Sequence, residues 1–293
     1  MKMKGKIVLL FLMYALPFYA GAQTNNTPAS DSLKTVSDAK KKTAPLLRAM
    51  KNKVAGSYNF WLYTPEGYDK QDTTAKEFPL VVFLHGRSLC GKDLEKVRRY
   101  GTIDALERGR KIPAVVLAPL NPGETWNPKK LCAILDYLKE ECPYDTTRVY
   151  VLGMSLGGYG TMDFVADCSN RVAAAIALCG GTTKKDITCM GEVPLWIIHG
   201  TADKRVSVKA SQVVVKELEE KHLNSRLRYE WIIGASHSYL ARYFYLEKVY
   251  EWLFMHSTKD EGRPVNTEIN ISKEDQTSAY TGWSKKANIK TIR

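Results

Sequence analysis

Short apolar runs alternate with longer stretches of mixed character between residues 58 and 255. The runs at 80–84, 114–118, 149–152, 172–178 and 195–198 are almost without polar positions, as strands covered on both faces should be. Residues 58–63 and 227–233 read as two further strands, and the first ends at the turn signal Thr64-Pro65-Glu66-Gly67. Apolar positions fall at helical spacing in 129–141 (Leu131, Ile134, Leu135, Leu138) and in 206–221 (Val213, Val214, Leu218). Helices are also predicted over 93–108, 159–167 and the aromatic-rich 239–255. Short buried strands alternating with longer helices predict an α/β fold: a mostly parallel central sheet with helices on both faces. The connection from Leu178 to Pro194 is short, so no separate lid domain is expected.

Ligands of such sheets bind beyond the carboxyl ends of the strands. The chemically distinctive residues follow strands directly: His85-Gly86-Arg87, Ser155, Asp203 and His237. The stretch from Val149 to Gly158 runs an apolar strand into G-x-S-x-G and then into a helix, the context a strained nucleophile turn requires. Gly153 and Gly157 keep the neighbours of Ser155 small, and the following helix turns its N-terminal amides toward it. A serine hydroxyl becomes a nucleophile only beside a base, and the base needs a third group to hold its tautomer. Among five histidines, His237 lies in the loop after the last strand and is the candidate base. His85 and His199 end strands in His-Gly and read as structural, His222 ends a helix among charges, and His256 lies in the tail of the closing helix. Asp203, on the loop after 195–198, is the candidate orienting acid, and it is also suited to cap the helix from Val206. Asp163 and Asp186 are rivals, one inside the elbow helix and the other after a different strand. An oxyanion needs two N–H donors, expected from Leu156 and from Arg87, with Ser88 as the alternative to Arg87. Trp126, Tyr159 and Tyr239 are candidates to line a substrate site, against the alternative that they serve packing.

Four segments together resemble the α/β-hydrolase superfamily over about residues 55–256: Leu84-His85-Gly86, Asp145-x-x-Arg148-Val149-Tyr150-Val151-x-Gly153-x-Ser155-x-Gly157-Gly158, His199-Gly200-x-x-Asp203, and the late His237. The chain is similar in particular to bacterial feruloyl and acetyl-xylan esterases and to polyhydroxybutyrate-depolymerase-like and dienelactone-hydrolase-like serine esterases. That resemblance implies the α/β-hydrolase fold, a triad in the order Ser155, Asp203, His237, and two-step acyl transfer without cofactor or metal. One departure stands out. Arg87-Ser88-Leu89-Cys90 follows His-Gly, where many such esterases place a small or apolar residue and often a glycine. The alternatives are a prolyl-oligopeptidase-type serine peptidase, which shares fold and triad but usually carries a propeller, and a non-catalytic hydrolase-fold binding protein. A binding protein would have no need to keep all three triad members.

The termini read differently from the middle. Lys2, Lys4 and Lys6 precede an apolar run at 7–20, followed by Ala20-Gly21-Ala22, which predicts a signal peptide over 1–22 cut before Gln23. The run is short and interrupted by Pro17, so no stable membrane anchor is expected after cleavage, and the destination is periplasmic or secreted. Residues 23–54 read as a flexible lead-in, 55–256 as the catalytic domain, and 257–293 as a polar tail, either disordered or wrapped on the domain. The formal charge of +12 includes the three leader lysines, and the remaining basic residues are scattered without interleaved aromatics. That excludes a nucleic-acid patch and leaves a solvated surface, with acidic glycans as the class it would favour. The expected partner is a small-molecule or polysaccharide-linked ester. The six cysteines form no C-x-x-C and no Cys/His cluster, so no metal is expected. Cys132 and Cys142 on one helix would lie about 15 Å apart and should not pair with each other.

Overall fold

Among the described residues of the computed structural model (43–72, 75, 78–282 and 287–293), nine strands form one sheet. The signal peptide expected over 1–22 and the expected lead-in up to residue 42 lie outside the described residues. In chain order the strands are β1 (Leu46–Met50), β2 (Phe60–Thr64), β3 (Leu80–Leu84), β4 (Val115–Pro119), β5 (Val149–Met154), β6 (Ala174–Leu178), β7 (Leu195–Gly200), β8 (Leu227–Ile232) and β9 (Lys290–Ile292). Across the sheet they stand in the order β8-β7-β6-β5-β3-β4-β2-β1-β9. The six strands from β8 to β4 are parallel, and β2 returns antiparallel beside β4. The helices are α1 (Thr102–Glu107), α2 (Pro128–Glu141), α3 (Leu156–Cys168), α4 (Lys209–Glu220), α5 (Glu247–Phe254) and α6 (Lys273–Ser278).

Alternate residues of the inner strands feed two separate cores. Val149 and Val151 of β5 join Leu80, Val82, Leu195 and Ile197 under α2, α3 and α4. Tyr150 and Leu152 join Val81, Phe83, Trp196 and Ile198 on the opposite face, under α1 and α5. Helix α2 shows why the periodicity was readable. Asn127 caps it by accepting from Lys129 N–H at 2.9 Å, Pro128 occupies its first turn, and Leu131, Ile134, Leu135 and Leu138 are its buried stripe.

Three expectations are corrected. The lead-in does not extend to residue 54, because Leu46–Met50 pair antiparallel with β2 from Leu46↔Thr64 to Met50↔Phe60. The helix expected at 93–108 is two pieces, a 3₁₀ turn over Leu94–Arg98 and α1, broken at Gly101. Gly101 has φ +93°, and a Cβ there would lie 2.1 Å from the Phe83 ring, so only glycine passes. The closing helix is also two pieces, a 3₁₀ helix over His237–Tyr245 and α5, separated by the extended Leu246. One α-helical face cannot bury Tyr243, Phe244, Tyr245, Tyr250 and Trp252 together; the bend at Leu246 lets all five sink into the core. The polar tail wraps the domain. Ile271 and Ala279 are buried, α6 begins with a capping box between Ser272 and Asp275, and β9 pairs parallel with β1. No helix among the described residues is long and apolar enough to cross a membrane.

The sheet order places the site. From β3 the chain steps one way to β4, then crosses back over β3 to β5 and continues to β8. The carboxyl ends of β3 and β5 therefore flank a crevice at the point where the winding reverses, the usual ligand position in an open parallel sheet.

Candidate active site

Ser155 stands at the end of β5 with φ 60° and ψ −120°, a conformation that costs a side-chain-bearing residue about 1–3 kcal/mol. The surroundings hold it there. Its N–H donates to Leu178 O of β6 at 2.9 Å, and its carbonyl accepts from Tyr159 N–H at 3.0 Å in the first turn of α3. The turn closes only because its flanks are glycine: a Cβ on Gly157 would lie 1.8 Å from Leu84 O, and one on Gly153 would lie 2.2 Å from Gly157 O. Ser155 faces a cleft of about 840 Å³ bounded by Gly86, Arg87 and Ser88 after β3, by Tyr100, by Leu156 and Tyr159 of α3, and by Arg205, Val206 and His237.

His237 opens the 3₁₀ helix beyond β8, and its Nδ1 lies 2.6 Å from Asp203 Oδ2. The Asp203 side chain has no exposed surface, whereas His237 keeps 21% of its own. Oδ1 of Asp203 accepts from Arg205 N–H at 2.8 Å and Val206 N–H at 2.9 Å. The turn-capping and orienting roles are thus divided between two oxygens of one carboxylate. Burial pushes this carboxyl up, but the bonds from Val206, His237 and Arg205 outweigh it and hold it below the usual range. An ionised Asp203 fixes the proton of His237 on Nδ1 and leaves Nε2 as the acceptor facing the cleft. The rival Asp163 is buried and occupied elsewhere, accepting from Thr182 Oγ1 (2.6 Å), Thr183 Oγ1 (2.6 Å) and Thr183 N–H (2.8 Å). Asp186 accepts from Thr188 and is not among the cleft residues.

The histidines read as structural are satisfied inside the protein. His85 donates from Nδ1 to Gly86 O at 2.8 Å and accepts at Nε2 from Asn121 N–H at 3.0 Å, which ties the loops after β3 and β4 together. Burial pulls it down to about 4 against a smaller opposing effect of the Gly86 carbonyl, so the ring is neutral. His199 is buried, with Nδ1 2.7 Å from Ser211 Oγ and Nε2 2.9 Å from Val206 O. His256 is buried beneath Trp252, and His222 is exposed.

Arg87 opens the 3₁₀ turn Arg87–Leu89 and Leu156 opens α3, so neither amide has an acceptor within its own helix. Both residues border the cleft beside Ser155. Of the three candidate lining aromatics, only Tyr159 borders it. Trp126 is corrected to a core residue: it is buried, its indole N–H donates to His85 O at 3.3 Å, and Gly160 packs against its ring. Tyr239 is not among the cleft residues; it is half-buried against the core, with the Arg242 guanidinium 4.1 Å from its ring centroid. Tyr100 was not anticipated, because it sat inside an expected helix. The one signal for it was the helix-breaking Gly101 that follows.

Among the described residues, Cys179, Asp203 and His237 offer ligand atoms within 4.8 Å of one another. Burial, and then the Asp203 charge, push the Cys179 thiol up, so it is protonated at neutral pH. The carboxylate and the imidazole are already bonded to each other. A cation would have to displace both protons, so the arrangement suits a proton relay better than a metal.

The dienelactone hydrolase family profile matches residues 121–257, from the loop after β4 to just beyond α5. A bifunctional acetylxylan esterase/xylanase of Neocallimastix patriciarum is 28% identical over 88 residues, 30% of this chain and 13% of that protein. The crystal structure of a thermostable esterase superimposes with a TM-score of 0.54 at 28% identity, covering 68% of this chain and 59% of that one. A mutant feruloyl esterase module from Clostridium thermocellum, complexed with sinapinate, superimposes with a TM-score of 0.52 at 13% identity, covering 79% of this chain and 90% of that module. The chain thus spans 13% of the length of the curated relative and 59% of that of the thermostable esterase.

Proposed function

We propose that this chain, which has the α/β-hydrolase fold and resembles the dienelactone hydrolase family over residues 121–257, is an exported serine ester hydrolase acting on carbohydrate-linked esters of the acetyl or feruloyl type. One observation carries the reading: the strained Ser155 shares a cleft with His237, whose Nδ1 is held at 2.6 Å by an ionised, buried Asp203. In the reaction His237 Nε2 takes the Ser155 proton as Oγ attacks the ester carbonyl. The tetrahedral oxyanion is held by the Arg87 and Leu156 amides. As the C–O bond breaks, His237 returns the proton to the leaving alcohol. It then takes a proton from water as the water oxygen attacks the acyl-enzyme, and returns that proton to Ser155 Oγ as the C–Oγ bond breaks and the acid leaves. The substrate class rests on the acetylxylan esterase/xylanase likeness and on the cleft. At about 840 Å³, near the upper end for small-molecule sites, the cleft has room for an aromatic acyl group as well as acetyl. Export rests on the basic, apolar leader with its Ala20-Gly21-Ala22 end.

The test is hydrolysis of p-nitrophenyl acetate, methyl ferulate and an aminoacyl-proline anilide by wild type and Ser155→Ala. Ester turnover that is lost in the variant, with an inert anilide, is expected. Anilide cleavage would move the chain to the peptidases. Silence on all three, together with no labelling by a fluorophosphonate, would leave a binding protein.

A further inference from the structure

We infer that the Tyr100 hydroxyl is a third donor to the oxyanion, alongside the two backbone amides; the inference rests on the ester-hydrolase reading of the same cleft. Tyr100 reaches the cleft from the segment between the Leu94–Arg98 turn and α1, with its ring tilted against Phe244 at 6.4 Å between centroids. Its position relative to the nucleophile is fixed by Gly86. A Cβ built on Gly86 would lie 2.9 Å from Tyr100 Oη and 3.4 Å from Ser155 Cβ, so the phenol oxygen and the serine flank one point above Gly86. That point adjoins Arg87, the residue whose amide is the proposed donor from the β3 loop.

The hydrogen-bond inventory decides which way the phenol proton points. Tyr100 Oη accepts from Gly86 N–H at 3.2 Å and from Ser88 Oγ–H at 3.4 Å. Two donors occupy its two lone pairs, which leaves only the O–H to be directed. Both donors come from the β3 loop, and the ring lies behind the oxygen against Phe244, so the remaining direction is the cleft. A hydroxyl that accepts two hydrogen bonds is polarised into a stronger donor. Burial pushes the Tyr100 phenol up, so it keeps its proton at neutral pH. A pre-aimed, half-buried O–H next to the reacting carbonyl gains most when that oxygen acquires its full charge, which is the condition for lowering the barrier rather than tightening substrate binding.

Tyr100→Phe keeps the ring on Phe244 and deletes only the hydroxyl. For an oxyanion donor, kcat on p-nitrophenyl acetate falls about 10²-fold while KM stays within about twofold. The discriminating substrate is the matching thionoester, whose sulfur accepts hydrogen bonds poorly. There the variant should lose less than about fivefold. Equal losses on ester and thionoester would mean that Tyr100 only positions the β3 loop, which overturns the inference. Undiminished ester turnover in Tyr100→Phe overturns it as well. If the wild type turns over no ester at all, the hydrolase reading fails and this one fails with it; wild-type turnover that the variant shares in full sinks this one alone.

Discussion

His85 makes a sharp test of how the oxyanion side of the cleft is held. It is fully buried, and it bridges the β3 loop (Gly86 O, 2.8 Å) to the β4 loop (Asn121 N–H, 3.0 Å) as a neutral ring. Protonation would place a hydrogen on Nε2, against the amide already donating there. The perturbation is His85→Gln, whose carbonyl can still accept from Asn121. At pH 7 the variant loses one hydrogen bond and the edge-on contact with Trp126 (5.1 Å), together about 2 kcal/mol. The pH dependence runs the other way. The folded ring titrates at about 4, against 6.5 for an ordinary histidine, so folding favours the neutral form. The stabilisation is complete above 6.5 and is lost as pH falls toward 4, because the unfolded chain takes up the proton first. The loss approaches about 3 kcal/mol by pH 4 and has already reached about 2 kcal/mol near pH 5. Glutamine has no such titration. Urea unfolding of both proteins from pH 7 to pH 4 should therefore show wild type more stable at neutral pH, the two curves meeting near pH 5, and the variant ahead at pH 4. Other titrating groups are common to both and cancel in the difference. A difference that stays constant over the range would refute the claim that burial holds His85 neutral.

Two further predictions concern the acid and the thiols. Asp203→Asn preserves the acceptor for Arg205 and Val206 but offers an N–H to His237, which forces the wrong tautomer; kcat on an ester should fall about 10⁴-fold with the thermal midpoint little changed, and a loss under tenfold would remove Asp203 from the reaction. The Cys132 and Cys168 sulfurs, on α2 and at the end of α3, lie 3.0 Å apart, and the bond from Cys168 pulls the Cys132 thiol down to about 7. Oxidised glutathione, accepting the two electrons as both thiols give up their protons, should join them, lower the intact mass by two hydrogens and add about 3–4 kcal/mol of stability that a reductant abolishes. Six alkylatable cysteines after that treatment would contradict it.

What was legible in the sequence followed from burial on both faces. Leu80–Leu84 and the 195–198 run of β7 are buried on both faces and carry only apolar residues, so the composition of each run announces it. The edge was not legible for the converse reason. In Leu46–Met50 only Leu47 is buried and the other four residues are half-exposed, so the strand looks like its lead-in until β2 is there to pair with it. The pairing of β9 with β1 is further out of reach, because Lys290–Ile292 is short and joins a strand more than two hundred residues earlier. Cys132 and Cys168 show the same limit. Helical geometry rules out a partner ten residues along the helix, but only the packing of α2 on α3 reveals the right one.

The candidate site divides along the same line. Ser155, Asp203 and His237 were readable because each lies within five residues of a strand's carboxyl end, and parallel neighbours bring every such end to one edge of the sheet. Their surroundings were not, because the groups that aim them come from elsewhere in the chain. The β3 loop is held from β4 through His85 and Asn121, and from beyond the Leu94–Arg98 turn through Tyr100. Trp126 misled for a related reason. It belongs to the β4 loop, whose end faces the site, yet its indole turns inward to support His85 O and to lie against Gly160 of the elbow helix. A strand end thus predicts where a residue's backbone stands, while the direction of its side chain is decided by which neighbour has space, here a glycine on α3. The departure at Arg87-Ser88 after His-Gly follows from this. With Tyr100 Oη taking the Gly86 amide and the Ser88 hydroxyl, the loop is braced by a phenol, and its backbone turn does not depend on a further glycine at positions 87 and 88.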